Sequence, residues 1–369
     1  MYGSNSSVYT LQLQARCMVA QQATRERHRF LAGTLSRKKE NELHIVEFQE
    51  DQHEFFGSAI YTMPGEVWAL ASSPLDPAIV AASVRTGDGF QNGVFRLPEE
   101  SGAADAAAAA DESGYDGGAE SRVESEAVEV SLFADSPRKQ EEILFHPHDE
   151  AGGAPSNRVM FMDDTYARVF DFEGGSLTEL ASMAVSEGEE ALCAGWNPHK
   201  REQIVVASGS GVAQWDLRAK KGSALIPAAH EFGVTSLDFN PNRASVLVTS
   251  GEDRLVKFWD MRMSEKPLMT LANHTHWVTQ VKYNPFHDQL ITTAGSDHRV
   301  NLWRITSISS QPLVELEGNE DGSDSADVKV LTFPEPEDSV YSLAWSAYTA
   351  WVFASLSFEG RILLHHVPE

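Results

Sequence analysis

The amino-acid sequence predicts an all-β fold, a seven-bladed β-propeller, and three observations support that prediction. First, Trp215, Trp259 and Trp303 are spaced 44 residues apart, and each ends an apolar, β-branched run. Second, Asp follows the first two, and a period of about 40–45 residues with Trp-Asp endings is typical of WD40 blades. Third, His230 precedes Trp259 by 29 residues, and His274 precedes Trp303 by the same number. Two matching spacings argue against chance.

The clearest repeat runs from His230 to Arg262. Its residues 234–239 alternate apolar and polar side chains, as a half-buried strand does, and Asn240 and Pro241 then turn the chain. The other strands and the tight turn of this repeat are predicted at residues 246–249, 251–253, 255–259 and 268–271. The next repeat copies this order at residues 278–283, 290–293, 295–297 and 300–303.

Each of these two repeats has a His, a Thr, an Asp and a Trp at matching positions. A neutral imidazole has one donor and one acceptor nitrogen, whereas an indole N–H only donates. The four side chains can therefore form a hydrogen-bonded chain that holds the strands of one blade together. Catalysis is the alternative role for such residue types, but we expect a structural one. The two predicted tetrads are His230, Thr249, Asp253 and Trp259, and His274, Thr293, Asp297 and Trp303.

Weaker repeats complete the count of seven blades within residues 1–369, which we expect to form a single propeller. The last blade shows only three strands, and His365 replaces Trp at the end of the third. An open edge strand invites aggregation. We therefore expect residues near 2–8 to supply a closing strand, or a partner to cover the edge. The weaker blades are predicted from residues 11–15, 29–34 and 43–48 for the first, 66–70 and 93–97 for the second, 158–162 (inner strand) and 167–172 for the third, 195–198, 204–207 and 212–215 for the fourth, and 340–345, 351–356 and 361–367 for the last.

The composition excludes several classes of protein. The net charge of −25, from 54 acidic and 29 basic residues, opposes binding to nucleic acid, which needs clustered Lys and Arg. Two cysteines, Cys17 and Cys193, cannot make a disulfide framework or a zinc cage, which suits the reducing cytosol. No apolar stretch reaches the ~18 residues of a membrane helix, and the first residues do not resemble a signal peptide. We therefore expect membrane association only through a partner, without direct insertion.

Residues 99–121 and 317–327 do not fit a blade. The first segment is acidic and rich in Ala, Gly and Ser, which predicts disorder. A short Ala-rich helix is the alternative, although such a helix is marginal alone. The second segment is an acidic loop that contains Gly and Ser. We expect both to be solvated insertions, with electrostatic attachment of a basic partner as the alternative.

Enzyme motifs are weak in this sequence. The Gly-rich residues 208–211 lack the Lys and the helix of a phosphate-binding loop. His274 with His276, and His365 with His366, have no third ligand at metal spacing. No nucleophile elbow is present. The sequence therefore predicts no catalytic residues, no metal site and no cofactor.

Several stretches resemble one family of WD40 proteins, those that interact with the EARP and GARP tethering complexes (the TSSC-type proteins). The Ser-Ile-Ser-Ser-Gln-Pro run at residues 307–312 and the last blade are its most specific parts, whereas residues 99–157 depart from the family pattern. The resemblance implies a non-enzymatic scaffold in endosomal recycling and in retrograde transport to the trans-Golgi network. It also implies a cytoplasmic location, with peripheral attachment to those membranes through partners. The matching stretches are residues 29–34, 41–48, 65–68, 71–74, 237–242, 256–262, 274–278, 307–312, 337–341 and 351–361.

Two sets of residues are candidates for binding partners. Aromatic and Arg side chains near strand starts are of the type that dominates interfaces. These candidates are Trp68, His276, Trp277, Tyr341 and Arg361, with burial in the blade core as the alternative for the two Trp and the Tyr.

The second set comes from two consecutive Trp-Asp-x-Arg endings, at Arg218 and Arg262. Such endings resemble those of substrate receptors that dock on the adaptor of cullin-4 ubiquitin ligases. The alternative is a structural Arg after the third strand. A ligase receptor is thus the second function that the sequence suggests.

Overall fold

A computed structural model describes residues 7–87, 89–98, 129–133, 138–147, 157–173, 175–185, 188–310 and 327–368. These residues form seven four-stranded antiparallel sheets, in which the strands lie side by side in chain order. The prediction of a seven-bladed propeller is therefore confirmed. Residues 99–121 lie outside the described ranges, and of residues 317–327 only Asp327 lies inside them.

The first six blades take their strands consecutively along the chain. Blades 1 and 2 contain β2 (Gln14–Ala20), β3 (His28–Leu35), β4 (Asn41–Gln49) and β5 (Glu54–Met63), then β6 (Glu66–Ser72), β7 (Ile79–Thr86), β8 (Gly89–Arg96) and β9 (Glu129–Phe133). Blades 3 and 4 contain β10 (Glu142–Phe145), β11 (Arg158–Met162), β12 (Tyr166–Glu173) and β13 (Ser176–Ala184), then β14 (Ala191–Trp196), β15 (Gln203–Ser208), β16 (Gly211–Asp216) and β17 (Lys221–Ile226). Blades 5 and 6 contain β18 (Val234–Phe239), β19 (Val246–Gly251), β20 (Val256–Asp260) and β21 (Met269–Leu271), then β22 (Val278–Tyr283), β23 (Leu290–Gly295), β24 (Val300–Arg304) and β25 (Val328–Phe333).

The seventh blade joins the two ends of the described chain. It contains β26 (Val340–Trp345), β27 (Val352–Ser357), β28 (Arg361–His366) and, as its outer strand, β1 (Ser7–Thr10). Strand β1 pairs antiparallel with β28, with Ser7 opposite Leu364 and Thr10 opposite Arg361. The closing strand therefore comes from the amino-terminal region, as the sequence predicts, although it extends two residues further than expected.

Side chains of blade 1 hold the closing strand in place. The Tyr9 hydroxyl lies 3.0 Å from Nδ1 of His44. Gly57 makes room for this ring, because a Cβ built there would lie 2.5 Å from the Tyr9 hydroxyl. The contact joins the outer strand of blade 7 to the next blade.

Two strand predictions were wrong. The inner strand of blade 1 is Gln14–Ala20, not residues 11–15. Leu11 instead donates its N–H to the Gly360 carbonyl at 2.8 Å and belongs to the connection from β1. In blade 3 the inner strand is the short β10, and Arg158–Met162 is the second strand. In blade 1, the alternation of apolar and polar residues at 11–13 resembles that of a strand. In blade 3, β10 has only four residues, which are too few to show a clear alternation.

Apolar packing between blades closes the ring. The inner strand of each blade contacts the inner strands of both neighbours. Seven buried apolar clusters, one at each junction, fill the spaces between the blades. Burying one large apolar side chain contributes roughly 1.5–3 kcal/mol, so these junctions hold the blades at fixed positions. Within the described ranges, no helix is long and apolar enough to cross a membrane.

Candidate protein-interaction site

The ring has two faces, and the loops define them. His230 precedes β18 and lies 2.8 Å from Asp253, which lies in the turn between β19 and β20. This contact places the connections into each first strand, and the turns between second and third strands, on one face. We call it the bulge face, after the bulged residues Arg16, Trp68 and Tyr341 described below. The other connections lie on the opposite face, which we call the Trp-Asp face because β16 and β20 end there.

In blade 5 the four residues of the first predicted tetrad form a continuous hydrogen-bonded chain. Asp253 Oδ1 lies 2.8 Å from His230 Nδ1, and His230 Nε2 lies 2.8 Å from the Thr249 hydroxyl. The Trp259 indole donates to that hydroxyl at 2.9 Å. Burial acts to raise the pKa of the Asp253 carboxyl, but the hydrogen bond and charge of His230, together with the bonds from the N–H groups of Glu231 and Leu255, outweigh burial and lower the pKa to about 2. The carboxylate is therefore a charged acceptor inside the blade.

Blade 6 repeats the arrangement. His274 Nδ1 lies 3.0 Å from Asp297, and His274 Nε2 lies 2.8 Å from the Thr293 hydroxyl, to which Trp303 donates at 3.1 Å. The pKa of Asp297 is also lowered, because the hydrogen bond and charge of His274 and the backbone N–H bonds to the carboxylate together outweigh the effect of burial. Both Asp side chains are almost fully shielded from solvent. This geometry presents no nucleophile or open ligand position to a substrate.

Backbone bulges bring three side chains from consecutive blades together on the bulge face. The register of β2 against β3 skips Arg16, that of β6 against β7 skips Trp68, and that of β26 against β27 skips Tyr341. A bulge leaves one residue unpaired and re-aims its side chain. Blades 7, 1 and 2 are neighbours in the ring, so the three bulged residues are adjacent.

Arg16 is the centre of this group, which we call the bulge cluster (Arg16, Trp68 and Tyr341). Its guanidinium carbon lies 4.9 Å from the centre of the Tyr341 ring and 5.8 Å from that of Trp68. Both distances are within the range of cation–π attraction. Arg16 is exposed, and the two aromatic side chains are half-buried. The sequence predictions for Trp68 and Tyr341 thus fall on one surface, and neither side chain is fully buried core.

Other aromatic rings support the bulge cluster. Phe358 meets Tyr341 with ring centres 5.7 Å apart, and Phe90 meets Trp68 at 6.3 Å. Lys139 Nζ lies 5.4 Å from the Trp68 ring on the side of blade 3. The result is a band of aromatic and cationic side chains across four blades.

The carboxylates near the bulge cluster already have cationic partners. Glu66 lies 3.6 Å from Arg37 and 3.7 Å from Arg85, and Glu141 lies 2.6 Å from Lys139. Arg361, a third predicted partner-binding residue, is bound to Glu337 and lies 3.8 Å from Glu359.

His276 and Trp277 form a separate exposed pair on the bulge face, in blade 6. Their ring centres are 5.3 Å apart, and His276 Nδ1 lies 2.6 Å from the Ser296 hydroxyl. Trp277 is 49% exposed, so it is not part of the blade core. The five predicted partner-binding residues therefore share one face, but only Trp68 and Tyr341 belong to the bulge cluster.

Arg218 and Arg262 lie on the Trp-Asp face, in the neighbouring blades 4 and 5. Each backbone N–H donates to the Asp two residues before it, at 2.8 Å and 3.0 Å. The Arg262 guanidinium also donates two hydrogen bonds to Asp260, of 3.0 and 2.7 Å, and both Arg side chains are exposed. Asp260 has a lowered pKa because of the hydrogen bond from Arg262.

The loop at residues 307–310 also lies on the Trp-Asp face. The Ser310 N–H donates to Asp288 at 2.7 Å, and Arg243 donates to the Ile308 carbonyl at 3.0 Å. Asp327 accepts from the N–H groups of Thr306 and Ser307. The loop is therefore fixed across blades 5 and 6, away from the bulge cluster.

Arg16 is the site residue that sequence reasoning missed. The inner strand of blade 1 was predicted at residues 11–15 and stopped one residue before it. Trp68 and Tyr341 are each the second or third residue of an inner strand. With β2 placed correctly, Arg16 occupies the equivalent position, which would have identified it. Among the described residues, no group of His, Cys, Asp or Glu is arranged to hold a metal ion.

Comparison with known proteins gives a consistent result. The sequence model of the family described as EIPR1 beta-propeller matches residues 3–303. The chain is 32% identical to human EARP and GARP complex-interacting protein 1, over 98% of this chain and 96% of that protein. It is 33% identical to the EARP-interacting protein homolog of Danio rerio with the same coverage, and 30% identical to WD repeat-containing protein DWA2 of Arabidopsis thaliana over 100% and 98%. The chain belongs to the EIPR1 beta-propeller family.

Proposed function

We propose that this protein is a non-enzymatic adaptor that binds vesicle-tethering complexes of the EARP and GARP type. The observation that carries the proposal is the match, over nearly the whole chain, to relatives whose names state that interaction. A rigid ring with loops displayed on a face suits such a role, because binding residues are commonly placed on loops held by a scaffold. The buried tetrads leave no reactive group open to a substrate.

The bulge face is the proposed contact surface for the tether. Interfaces are dominated by a few Trp, Tyr and Arg side chains near their centre. The bulge cluster supplies one of each, from three blades fixed by the apolar junctions. Fixed side chains lose little conformational entropy when they bind, which favours affinity.

We further propose that the complex acts in endosomal recycling and in endosome-to-trans-Golgi retrograde transport. In this role the protein is cytoplasmic and reaches the membranes of endosomes and the trans-Golgi network peripherally, through the tether. Depletion of the tether should then release the protein from those membranes in imaging experiments, and persistent attachment would contradict the proposal.

A binding measurement tests the proposed surface. Purified chain would be titrated with purified EARP and GARP complexes, and the double variant Trp68→Ala/Tyr341→Ala should bind about 30-fold or more weakly. The matched control is Phe286→Ala/Trp351→Ala, which removes two exposed aromatic side chains (44% and 51%) from the Trp-Asp face. Equal loss in both double variants, or no binding by the unaltered chain, would contradict the proposal.

A second candidate function is that of a substrate receptor for a cullin-4 ubiquitin ligase. The observation that favours it is the placement of Arg218 and Arg262 at the same position of adjacent blades on one face, both exposed. Because this face is opposite the bulge cluster, both partners could bind at once. Arg218→Ala/Arg262→Ala should remove the cullin adaptor from affinity purifications and leave tether subunits in place. Absence of the adaptor from the unaltered sample would exclude this function.

A further inference from the structure

We infer that the bulge cluster recognises a carboxylate, the side chain of an Asp or Glu in an acidic segment of the protein partner, through the guanidinium of Arg16. This inference rests on the proposed function, because it takes the bulge face as the partner site. It adds the chemical class of the segment that is bound.

The first argument is the pairing of charges. Around the bulge cluster, Arg37, Arg85, Lys139, Arg138 and Arg361 each lie within 4.0 Å of a carboxylate. Arg16 differs, because no carboxylate of the described residues lies within ion-pair distance of its guanidinium. The guanidinium instead makes cation–π contacts with the two rings. Arg16 therefore differs from these five neighbouring cations in having no carboxylate bound to it.

The second argument is geometric. The Tyr341 and Trp68 rings hold the guanidinium between them, at 4.9 and 5.8 Å. Stacking on aromatic rings leaves the N–H groups at the edge of the guanidinium plane free to donate. A carboxylate accepts two parallel bonds from that edge, and such paired bonds are among the strongest in proteins. The bulge in β2 provides the unpaired backbone position that aims Arg16 outward.

The third argument selects carboxylate over phosphate. A phosphate carries nearly two negative charges at neutral pH and is usually bound by several cationic groups. Here the neighbouring cations are occupied by Glu66 and Glu141, whose charges oppose a dianion. One unpaired guanidinium matches one singly charged carboxylate.

The flanking rings indicate what surrounds that carboxylate. The half-buried faces of Trp68 and Tyr341 offer apolar area on both sides of Arg16. An acidic residue with an apolar neighbour in an extended segment would therefore satisfy the cluster, with the carboxylate on Arg16 and the neighbour on a ring.

The test identifies the bound segment and then its carboxylate. The photoreactive replacement Gln14→p-benzoylphenylalanine places a cross-linker at an exposed residue two positions before Arg16. Full-length protein carrying it would be cross-linked in cells, and the attached segment sequenced by mass spectrometry. Each Asp and Glu of that segment would then be neutralised in turn, and binding measured against Arg16→Gln in a double-mutant cycle.

Arg16→Gln should weaken binding by about ten- to a hundredfold, the effect of losing a charge-assisted hydrogen bond. One carboxylate of the segment should show the same loss and no further loss in combination. Arg16→Lys, which keeps the charge but not the paired donors, should recover only part of the affinity. Arg304→Gln, an exposed Arg at the end of β24 on the other face, is the matched control and should bind normally.

The outcomes separate this inference from the proposed function. A segment without Asp or Glu, unchanged binding by Arg16→Gln, or loss of binding after phosphatase treatment would overturn the inference, even if the segment belongs to a tether subunit. An acidic segment that couples to Arg16 but belongs to another protein would support the inference and contradict the tether proposal. Melting temperatures of the variants, expected to be unchanged because Arg16 is exposed, confirm that a loss of binding is not a loss of folding.

Discussion

Blades 5 and 6 differ from blades 4 and 7 in the hydrogen bonding of one residue, the aromatic residue near the end of the third strand. In blades 5 and 6 a Trp donates to a Thr hydroxyl that is part of a four-residue chain. In blade 4 the Trp215 indole nitrogen is buried and has no hydrogen-bond partner among the described residues. By strand register Val206 stands where blade 5 has Thr249, so the acceptor is absent.

Blade 7 uses a third solution. His365 occupies the Trp position, opposite Phe353, and its Nε2 lies 2.7 Å from the Ser355 hydroxyl. Phe95 and Phe170 occupy the same position in blades 2 and 3 and need no acceptor. In blade 1 the strand register places Val46 at this position, whereas the other six blades place an aromatic ring there. The comparison shows that the fold does not require the hydrogen-bonded chain at this position. The hydrogen-bonded tetrad adds stability in the two blades that contain it, blades 5 and 6.

Removing the Asp side chain of a tetrad should lower the free energy of unfolding more than any other change considered below. Asp253→Ala leaves His230 and the N–H groups of Glu231 and Leu255 without their acceptor inside the protein. Loss of one partner from such a buried set typically costs about 3 kcal/mol. Urea unfolding should show this loss in the free energy of unfolding, and Asp297→Ala should behave alike.

Asp216→Ala is the control for that experiment. Asp216 is exposed and accepts only the N–H groups of Arg218 and Ala219, so its removal should cost about 1 kcal/mol or less. Partner affinity should be unchanged in all three variants. A stable Asp253→Ala protein that loses one partner selectively would refute the structural role of the tetrads.

The next largest expected effect is on the pH dependence of stability, which we attribute to His365 in blade 7. Burial, together with the nearby His366, lowers the pKa of His365 from its ordinary 6.5 to about 3. Between these values the unfolded chain binds a proton at this residue and the folded chain does not. The stability it contributes is therefore complete above pH 6.5 and falls as the pH decreases toward 3.

By pH 5 this decline should reach about 2 kcal/mol from His365 alone. His365→Phe keeps a ring against Phe353, which now stacks on the imidazole at 4.8 Å, but removes the titration. The free energy of unfolding of the variant should fall by about 2 kcal/mol less than that of the unaltered chain between pH 7.5 and 5. Parallel pH profiles would show that His365 is not buried as a neutral group.

The sequence was sufficient to predict the blades that carry a regular period, and the reason is physical. The tetrads of blades 5 and 6 need four residue types at fixed spacing, so they leave a pattern that can be recognised without coordinates. The closing strand was predictable because an unpaired edge has to be covered. Blades 1 and 3 carry no tetrad pattern in the sequence, and there the limits of the inner strands were misplaced.

The candidate site was less accessible to prediction because it is formed between blades. Trp68 and Tyr341 were recognised as residue types common in interfaces, but they are 273 positions apart in the chain. Their joint contact with Arg16 depends on three bulges and on closure of the ring. Neither bulges nor closure can be derived from composition or local periodicity.

Replacing Trp by Phe tests the difference between blade 5, where the indole N–H is hydrogen-bonded, and blade 4, where it is not. Trp259→Phe removes the indole N–H that binds Thr249 at 2.9 Å and should cost about 1–2 kcal/mol more than Trp215→Phe. In blade 4 the same change deletes a buried donor that has no partner, so the loss of ring area is partly offset. Thermal and urea unfolding of the two variants would give the difference. Equal costs would mean that the hydrogen bond to Thr249 contributes nothing measurable.

The smallest effect is expected in blade 2, which is interrupted between its third and fourth strands. Strands β8 and β9 pair with Arg96 opposite Glu129, so the connection between them contains residues 99–121. Deletion of those residues shortens the loop that the paired strands must close, and a shorter loop loses less entropy on folding. We expect the free energy of unfolding to stay the same or rise by up to about 1 kcal/mol. A fall of many degrees in the melting temperature would mean that the segment packs on the ring, and that blade 2 relies on it as blades 5 and 6 rely on their tetrads.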